Sequence, residues 1–442
     1  MQVKKMIKTL PGIRGLCNRL SQIEDKLNIL EYENTLLGQQ MVDIRLALKG
    51  TGNGAINVVF VCHRPEVWGA LKTVYEAMMR DSHFNVKIVA IPNKKEIAGK
   101  GLNHEIYESE GAEEFWKEYG CIEGFNYENK TWLDLRSLKP DYIFFQQPYN
   151  ITRCPEYKSW IVSKYAKLCY ITYYSPLYGD EICYIDCLPE DYIKNVSFIF
   201  AHNEFDYKLL CERFKMIGNN IVCIENTGYP RYDSVKKFLN QKSKIWQGNN
   251  SFKIIWTPRW TLNEGNCNFF EYKDNFLELC RTNSQFELVF RPHPQAFLEW
   301  RATGKIDESE ESMIRESFNQ DNIHLDESKD YFPLLYSSDC LITDRSSIFL
   351  DYFCTGKPII YCQGKNNSGL FPEYEKGLYI VDNWKELIDV LLELYNGNDP
   401  LKNIREQIVK DYLLPKGKSA GEKIAEIILN DAIAHKERRL DV

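Results

Sequence analysis

The sequence predicts an α/β fold with two parallel-sheet halves behind a long amino-terminal helix. Short apolar runs alternate with helical stretches in two series, polar residues gather where the runs end, and a heptad pattern precedes both series. Strand, helix and strand at this spacing form a βαβ unit of a parallel sheet. We expect a basic tail and helix over 1–50, a first domain over 51–235 and a second over 236–442.

The composition is that of a globular protein, with 44% hydrophobic and 26% charged residues. A net charge of −7 argues against nucleic acid as a partner. The 14 cysteines form no CxxC pair and no cluster with histidine at zinc spacing, so we expect free thiols in a reducing compartment. No signal peptide and no apolar run of about 18 residues, the length that spans a bilayer, is recognisable. We expect a cytoplasmic protein.

Residues 1–22 combine basic with apolar side chains and contain no acidic one. Basic residues beside an apolar face suit an anionic membrane surface, so we expect peripheral contact with the inner face of the plasma membrane. The alternative is a solvated terminus that frays. The basic residues are Lys4, Lys5, Lys8, Arg14 and Arg19.

A heptad pattern runs without a break through residues 13–48, and ten of its eleven a and d positions are apolar. This is typical of a coiled coil. Asn34 is the single polar a residue, and one buried amide of this kind fixes the register of a parallel pair. We expect self-association through this helix, with a helix packed on its own domain as the alternative. The a positions are Ile13, Leu20, Leu27, Asn34, Met41 and Leu48, and the d positions are Leu16, Ile23, Leu30, Leu37 and Ile44.

The first α/β series opens with a strand at Ile56–Cys62, a helix near 66–80 and a strand at Phe84–Pro92. His63 follows the first strand directly, where open α/β sheets place ligand-binding groups. A structural role in the turn is the alternative for His63. Further strands are expected at Asp141–Phe145, Leu168–Thr172, Ser197–Ala201 and Asn220–Ile224.

The second series repeats this pattern, and two such halves facing each other across a cleft describe the GT-B architecture. A final helix near 419–438 is expected to cross back to the first half, by analogy with that architecture. Strands are expected at Lys253–Trp256, Glu287–Phe290, Ile323–Leu325, Cys340–Thr343 and Pro358–Tyr361. Polar residues after these strands are Arg259, Arg291, His293, Asp344, Ser346 and Ser347.

The segment 336–362 contains the most informative strand end. Ser346 and Ser347 start a helical pattern that runs to Phe353, directly after the strand that ends in Thr343-Asp344. Free backbone N–H groups, the positive end of the helix dipole and two hydroxyls suit a bound phosphate. An ordinary β–α junction with a capping serine is the alternative.

Four motifs, in this order and spacing, resemble the CDP-glycerol glycerophosphotransferase family, whose members include teichoic acid primases and polymerases. They are TGYPRYD at 227–233, TPRW at 257–260, RPHP at 291–294 and SDCLITDRSSIFLDYFCTGKPIIY at 338–361. The resemblance is strongest over 197–395. The first half resembles a subset of the family that has His-Xaa-Pro after its first strand, here His63-Arg64-Pro65.

The resemblance implies transfer of glycerol-phosphate or another polyol-phosphate from a CDP-linked donor to an acceptor hydroxyl, with release of CMP. The acceptor would be a cell-surface polymer or a lipid-linked glycan. Arg291 and His293 would stabilise charge on the transferred group, and His63 would be the general base, with Asp180 in reserve. The residues expected to bind the donor are Arg231, Arg259, Thr343, Asp344, Arg345, Ser346 and Ser347.

The sequence departs from the family pattern at two places. Arg345 stands where the family usually has Tyr, which suits either a more anionic donor or an outward salt bridge. Residues 173–176, Tyr-Tyr-Ser-Pro, stand where many members carry Trp-His-Gly with the proposed base. There is no Asp-Xaa-Asp motif, so we expect no metal and no other cofactor. A nucleotide-sugar glycosyltransferase or epimerase of the same fold, or an inactive coiled-coil scaffold, are the alternative functions.

Overall fold

A computed structural model of the chain describes most of its 442 residues. Three of the predicted features lie outside the described residues: the basic positions in 1–10, Asp180 and Ser347. The described residues are 11–49, 54–96, 105–109, 112–173, 188–219, 221–238, 241, 243–248, 250–263, 267–328, 330–346, 348–363, 370, 372–414 and 417–437.

The chain up to residue 226 forms a long helix, a seven-stranded parallel sheet and two short hairpins. In chain order the elements are α1 (Pro11–Lys49), β1 (Ile56–Cys62), α2 (Gly69–Met79), β2 (Phe84–Ala90), β3 (Asn93–Glu96), β4 (Glu105–Glu108), α3 (Ala112–Lys117), β5 (Ile122–Glu123), β6 (Phe125–Asn126), β7 (Thr131–Trp132), β8 (Tyr142–Phe145), α4 (Ser159–Val162), β9 (Lys167–Ile171), α5 (Glu190–Ile193), β10 (Phe198–Ala201), α6 (Glu204–Met216) and β11 (Cys223–Asn226). The sheet order is β11-β10-β9-β8-β1-β2-β5, while β3 pairs with β4 and β6 pairs with β7.

The remainder of the chain forms a six-stranded parallel sheet and its helices. In chain order these are β12 (Phe252–Thr257), α7 (Phe269–Thr282), β13 (Phe286–Phe290), α8 (Ala296–Ala302), α9 (Glu308–Ser317), β14 (Ile323–Leu325), α10 (Phe332–Ser337), β15 (Cys340–Thr343), α11 (Ile348–Phe353), β16 (Ile359–Cys362), α12 (Pro372–Glu375), β17 (Tyr379–Val381), α13 (Trp384–Tyr395), α14 (Lys402–Ile408) and α15 (Ala420–Glu437). The sheet order is β14-β13-β12-β15-β16-β17.

Both sheets are covered on their two faces, as apolar strands without alternation require. In β12, Ile254 and Trp256 belong to one hydrophobic cluster and Ile255 belongs to another. The cluster around Ile255 also contains Val58 and Phe60 of β1, so one core is continuous between the two sheets. The predicted α/β fold with two Rossmann-like sheets is therefore confirmed, and it has the GT-B architecture.

Each sheet has one point where the direction of strand addition reverses. The first sheet grows from β1 to β2 and β5 on one side, and its chain then crosses to β8 on the other side of β1. The second sheet grows from β12 to β13 and β14, and then crosses to β15. Such topological switch points leave a crevice at the carboxyl ends of the strands, where open α/β sheets bind ligands.

Helix α15 returns from the second half to the first, as the architecture predicts. It packs along α1 and α2. Asp431 of α15 accepts hydrogen bonds from Tyr142 Oη and Lys167 Nζ, each at 2.6 Å. Lys167 also pairs with Asp43 of α1 at 2.8 Å, so one nearly buried ammonium joins three elements.

Helix α1 packs on the first domain through its carboxyl-terminal half. The amide of Gln39 donates to the Ser163 carbonyl at 2.7 Å and accepts from the Ser197 hydroxyl at 2.6 Å. Arg45 and Lys49 both pair with the fully buried Asp141. The predicted long helix is confirmed, and its buried face consists of Thr35, Gly38, Gln39, Val42 and Leu46, none of which is an a or d residue of the heptad.

The strand predictions agree with the structure to within three residues at either end. The sequence did not indicate the two hairpins, the short strand β5, or β17 with α13. Two-residue strands carry too little periodicity to be recognised. The helix expected from Ser346 begins at Ile348 and contains six residues.

Gly38 permits the close approach of α1 to the domain, which gives the first prediction. A Cβ atom at Gly38 would lie 2.5 Å from Lys164 Cα, whereas one at Gly15 of the same helix would meet nothing within 4 Å. We expect Gly38→Ala to lower the free energy of unfolding by about 1–3 kcal/mol through overpacking. Gly15→Ala should raise it by about 0.5–1 kcal/mol through helix propensity. Denaturant unfolding of both variants measures the change in the free energy of unfolding. Equal changes would contradict the close packing of α1 against Lys164.

Candidate active site

The switch point of the second sheet is organised by Asp344, which follows β15. Its Oδ1 accepts the backbone N–H of Arg259, and its Oδ2 accepts the backbone N–H of Asn268 at 3.1 Å. Asp344 is 2% exposed, and burial raises its pKa to about 8 against the opposing effect of these two donors. One carboxyl group thus fixes the loop after β12 and the start of α7 beside the end of β15.

The loops after β12 and β13 meet at Trp260 and His293. Their rings stack with centroids 5.2 Å apart and planes inclined by 17°. The Trp260 carbonyl accepts the indole N–H of the buried Trp300 at 2.8 Å, which holds the loop against α8. Arg259 lies next to this stack, and its Nε donates to the Thr261 hydroxyl at 2.9 Å. Two of the four motifs therefore form one surface.

His293 is a neutral imidazole with a defined tautomer at neutral pH. Its Nδ1 accepts the backbone N–H of Gln295 at 3.1 Å, so the ring proton is on Nε2. Partial desolvation, and then the positive charges of Arg259 and Arg291, hold the pKa of His293 below its usual range. The exposed ring can therefore donate a hydrogen bond through Nε2 to an anionic ligand.

Arg291 is held by groups that follow β14. Its guanidinium pairs with Asp326, donates to the Ser328 carbonyl at 2.9 Å and lies 4.5 Å above the centre of the Tyr331 ring. The Tyr331 hydroxyl in turn donates to Asp351. Arg291 is therefore oriented at the edge of the sheet by both an ion pair and an aromatic ring.

Arg231 bridges the two halves of the chain. Its guanidinium donates to both carboxylate oxygens of Asp351 in α11, at 3.0 and 2.8 Å, and to the Tyr331 hydroxyl. The side chain is largely buried in this pair. Its guanidinium already has these partners in the structure, and its role in donor binding stays a prediction.

The other predicted donor-binding residues lie around the end of β15. The Thr343 hydroxyl is buried and donates to the Thr257 carbonyl at 2.9 Å, so it ties β15 to β12. The Arg345 carbonyl accepts a long hydrogen bond of 3.5 Å from Arg259 Nη1. Ser346 is half-buried, and its carbonyl accepts the N–H of Phe349 at 3.3 Å. Arg259, Asp344, Arg345 and Ser346 are thus brought together.

The switch point of the first sheet contains His63, which follows β1. Its Nε2 lies 3.0 Å from Oε1 of Gln147, and its backbone N–H donates to Oε1 of Gln146 at 2.7 Å. Both glutamines follow β8, the strand across the switch point from β1. If the Gln147 oxygen is the acceptor, Nε2 carries the proton and Nδ1 has the lone pair. His63 thus lies at the predicted edge, 8% exposed.

From the sequence, no individual role in the site was expected for Trp260, Tyr331, Gln146 or Gln147. Each stands next to a strand end or a motif, but an isolated aromatic or amide carries no distinctive spacing. His202 follows β10 and stacks on Tyr229 with ring centroids 3.9 Å apart. Burial lowers the pKa of His202 to about 3, so this imidazole stays neutral.

Within the part of the chain that the structure describes, no group of three or more His, Cys, Asp or Glu side chains is arranged to hold a metal ion. Arg259, Arg291 and the Nε2–H of His293 are groups at this edge of the sheet that could face an anionic donor. Among the described helices, none combines the length and the hydropathy needed to cross a bilayer.

We predict that the hydrogen bonds of Asp344 stabilise the loops that form the site. We expect Asp344→Ala to lower the free energy of unfolding by about 1–3 kcal/mol or more, because the N–H groups of Arg259 and Asn268 lose their acceptor. Asp321→Ala, at an exposed turn, should change it by less than about 0.5 kcal/mol. Amide hydrogen exchange at Arg259 and Asn268 should rise in the first variant alone. Unchanged protection there would contradict this role.

Comparison with known proteins agrees with these observations. A family model described as CDP-Glycerol:Poly(glycerophosphate) glycerophosphotransferase matches residues 190–430. A search of curated proteins gives no match.

Several solved structures share the fold. The wall teichoic acid polymerase TagF matches with a TM-score of 0.52 and 15% identity, over 97% of this chain and 99% of that chain. A UDP-GlcNAc 2-epimerase from Neisseria meningitidis, bound to UDP-GlcNAc, matches with a TM-score of 0.53 and 14% identity, over 86% of this chain and 100% of that chain. MnaA of S. aureus with UDP matches with a TM-score of 0.53 and 11% identity, over 84% and 96%. At these identities the likeness shows the fold alone.

The family model covers more than half of the chain and includes all four motifs that carry the resemblance. It also includes Arg259, Arg291, His293 and Asp344, which the structure places around one switch point. The chain belongs to the CDP-glycerol glycerophosphotransferase family and is a transferase of that type.

Proposed function

We propose that the protein transfers glycerol-phosphate, or a related polyol-phosphate, from a CDP-linked donor to a hydroxyl of a cell-surface polymer or lipid-linked glycan, releasing CMP. The single observation that carries this proposal is the position of the predicted site residues. The described ones of the second half follow β12, β13 and β15 at their carboxyl ends, and His63 follows β1 at the β1/β8 switch point. Both positions are where this sheet topology binds ligands.

The second domain offers the chemistry that a diphosphate donor requires. Cationic and N–H donors neutralise phosphate charge, and charge-assisted hydrogen bonds are stronger than neutral ones. Arg259, Arg291 and Nε2–H of His293 supply such donors from neighbouring loops. Asp344 fixes the backbone of Arg259, and the Trp260 ring stacks on His293. Arg291 is oriented by Asp326 and Tyr331, so little reorganisation is needed when the donor binds. Ser346 extends the proposed donor site at the end of β15, and Ser347 stays a donor-binding residue predicted from the sequence.

The proposed reaction is an in-line displacement at the phosphorus that carries the polyol. The acceptor oxygen forms a bond to this phosphorus, and the bond from the phosphorus to the bridging oxygen breaks, so that CMP leaves. His63 takes the proton of the acceptor hydroxyl, because a neutral imidazole has one ring nitrogen that can accept a proton. Gln147 fixes the ring of His63. The role of His63 rests on its position at a strand end and on the chemistry of imidazole. Residues 173–176 lack the histidine that many family members carry there.

The proposed function is tested with the full chain, a lipid-linked glycan acceptor and a set of donors. CMP release from CDP-glycerol or CDP-ribitol that depends on the acceptor supports the proposal. UDP release from UDP-sugars, with no CMP from either CDP-polyol, would instead identify a nucleotide-sugar enzyme of the same fold. Binding of neither class of nucleotide would identify an inactive scaffold.

His293 provides the sharpest residue-level prediction. His293→Ala should lower turnover by about 10²–10³-fold, which is typical when a preorganised hydrogen-bond donor to a developing negative charge is removed. His83→Ala is the matched control, because His83 lies on an exposed turn and pairs with Asp81 at 2.7 Å. The control should keep full turnover. Wild-type turnover in a folded His293→Ala protein would make His293 a structural residue.

His63 is tested separately, because the base acts on the acceptor. His63→Ala should lower turnover by about 10²–10⁴-fold while the affinity for the CDP donor stays unchanged. Rate and donor affinity are measured on the same preparation. An active variant, or an equal loss of donor affinity, would remove His63 from this role.

A further inference from the structure

A stripe of large apolar side chains faces away from the body of the protein along α1. Leu20, Ile23, Leu27, Leu30, Leu37, Met41, Ile44 and Leu48 are each between 51% and 64% exposed. All eight are a or d positions of the heptad. We call them the seam. A contiguous exposed apolar stripe of this kind marks an interaction surface. Single apolar residues scattered over a surface are common and would not.

The amino-terminal half of α1 adds a second observation. Among the described side chains between Asn18 and Asn34, only Tyr32 is partly buried, and the others are exposed. Most of the stability of helices in proteins comes from tertiary packing of an apolar face, and the described side chains of this half of α1 have no such packing within the single chain. Its apolar residues follow the 3.5-residue repeat of a narrow seam rather than the wider face of a helix that packs on a globular core. The helix therefore has the form expected of one strand of a coiled coil.

The seam stays accessible when α1 is docked. The face that packs on the first domain is centred on Thr35, Gln39, Val42 and Leu46. At 3.6 residues per turn, this face lies about 150° around the helix from the seam. Docking by one face and pairing by the other are therefore compatible.

We propose that the seam binds the seam of a second copy of this chain, as a parallel, in-register, two-stranded coiled coil. Charge complementarity supports a second copy as the occupant. In this alignment each g residue faces the e residue five positions later in the partner helix. Arg19 at g then faces Glu24 at e, and both are exposed. The sequence repeats the pairing one heptad later with Lys26 and Glu31.

Asn34 determines the orientation. In a parallel in-register pair, a positions pack against a positions, so the two Asn34 amides meet and hydrogen-bond to each other. In an antiparallel pair, a positions pack against d positions, and each amide would face an apolar side chain. A polar group buried without a partner is costly. One polar a residue therefore favours the parallel pair, and it favours two strands over higher oligomers.

The test compares two lysine substitutions that differ by one position in the helix. Leu30, at d, is 54% exposed and Ile29, at c, is 57% exposed, so the two sites are alike in the single chain. Light scattering of the full chain at micromolar concentration should give twice the 51.9 kDa of one chain for wild type and for Ile29→Lys. Leu30→Lys should give the mass of one chain. Circular dichroism of each variant checks that the body stays folded.

A charge exchange tests the register. Glu24→Lys should weaken the dimer at least several-fold, because the introduced ammonium would face the Arg19 guanidinium of the second copy. Adding Arg19→Glu to the same chain should restore it. Three results would overturn the proposal: a monomeric wild type, equal effects of the Leu30 and Ile29 substitutions, or a trimer or tetramer. Failure of the charge exchange to restore a weakened dimer would overturn the parallel register.

Discussion

The carboxyl group of Asp344 is the constraint on which the second domain's site depends. It accepts one backbone N–H from the loop after β12 and another from the residue before α7. An unsatisfied buried N–H costs free energy, so these loops have one strongly preferred position. Trp260 is thereby placed to stack on His293, and Arg259 is placed beside the end of β15. These contacts hold the loops of the site in place without a bound donor.

A second network connects this site to the junction between the domains. It runs from Asp326 through Arg291 and the ring of Tyr331 to Asp351 and Arg231. Arg231 follows the last strand of the first sheet, whereas Asp351 lies in α11 of the second. The same residues that orient Arg291 thus fix the position of the segment between the sheets. Helix α15 returns to the first sheet, where it bonds to Tyr142 and Lys167, and so provides a second connection between the two halves.

The sequence was sufficient for most strands of the two large sheets and for most of the strand-end residues, because buried parallel strands are continuous apolar runs that end at polar residues. It did not reveal which strand ends are neighbours. Only the strand order of the structure shows where the switch points lie. It also shows that His63 and Gln147 follow neighbouring strands and contact each other. The heptad was recognised, yet its docking face was not. Thr35, Gly38 and Gln39 are small or polar, and their burial depends on hydrogen bonds and a close backbone approach that no periodicity records.

We propose that a CDP-linked polyol binds at the carboxyl edge of β12, β13 and β15. Amide hydrogen exchange with and without CDP-glycerol tests it most directly. We expect CDP-glycerol to add protection at residues 257–261, 291–295 and 344–346, and UDP-GlcNAc at the same concentration to give no comparable protection. Protection of these residues by UDP-GlcNAc alone, or protection by CDP-glycerol elsewhere only, would contradict it.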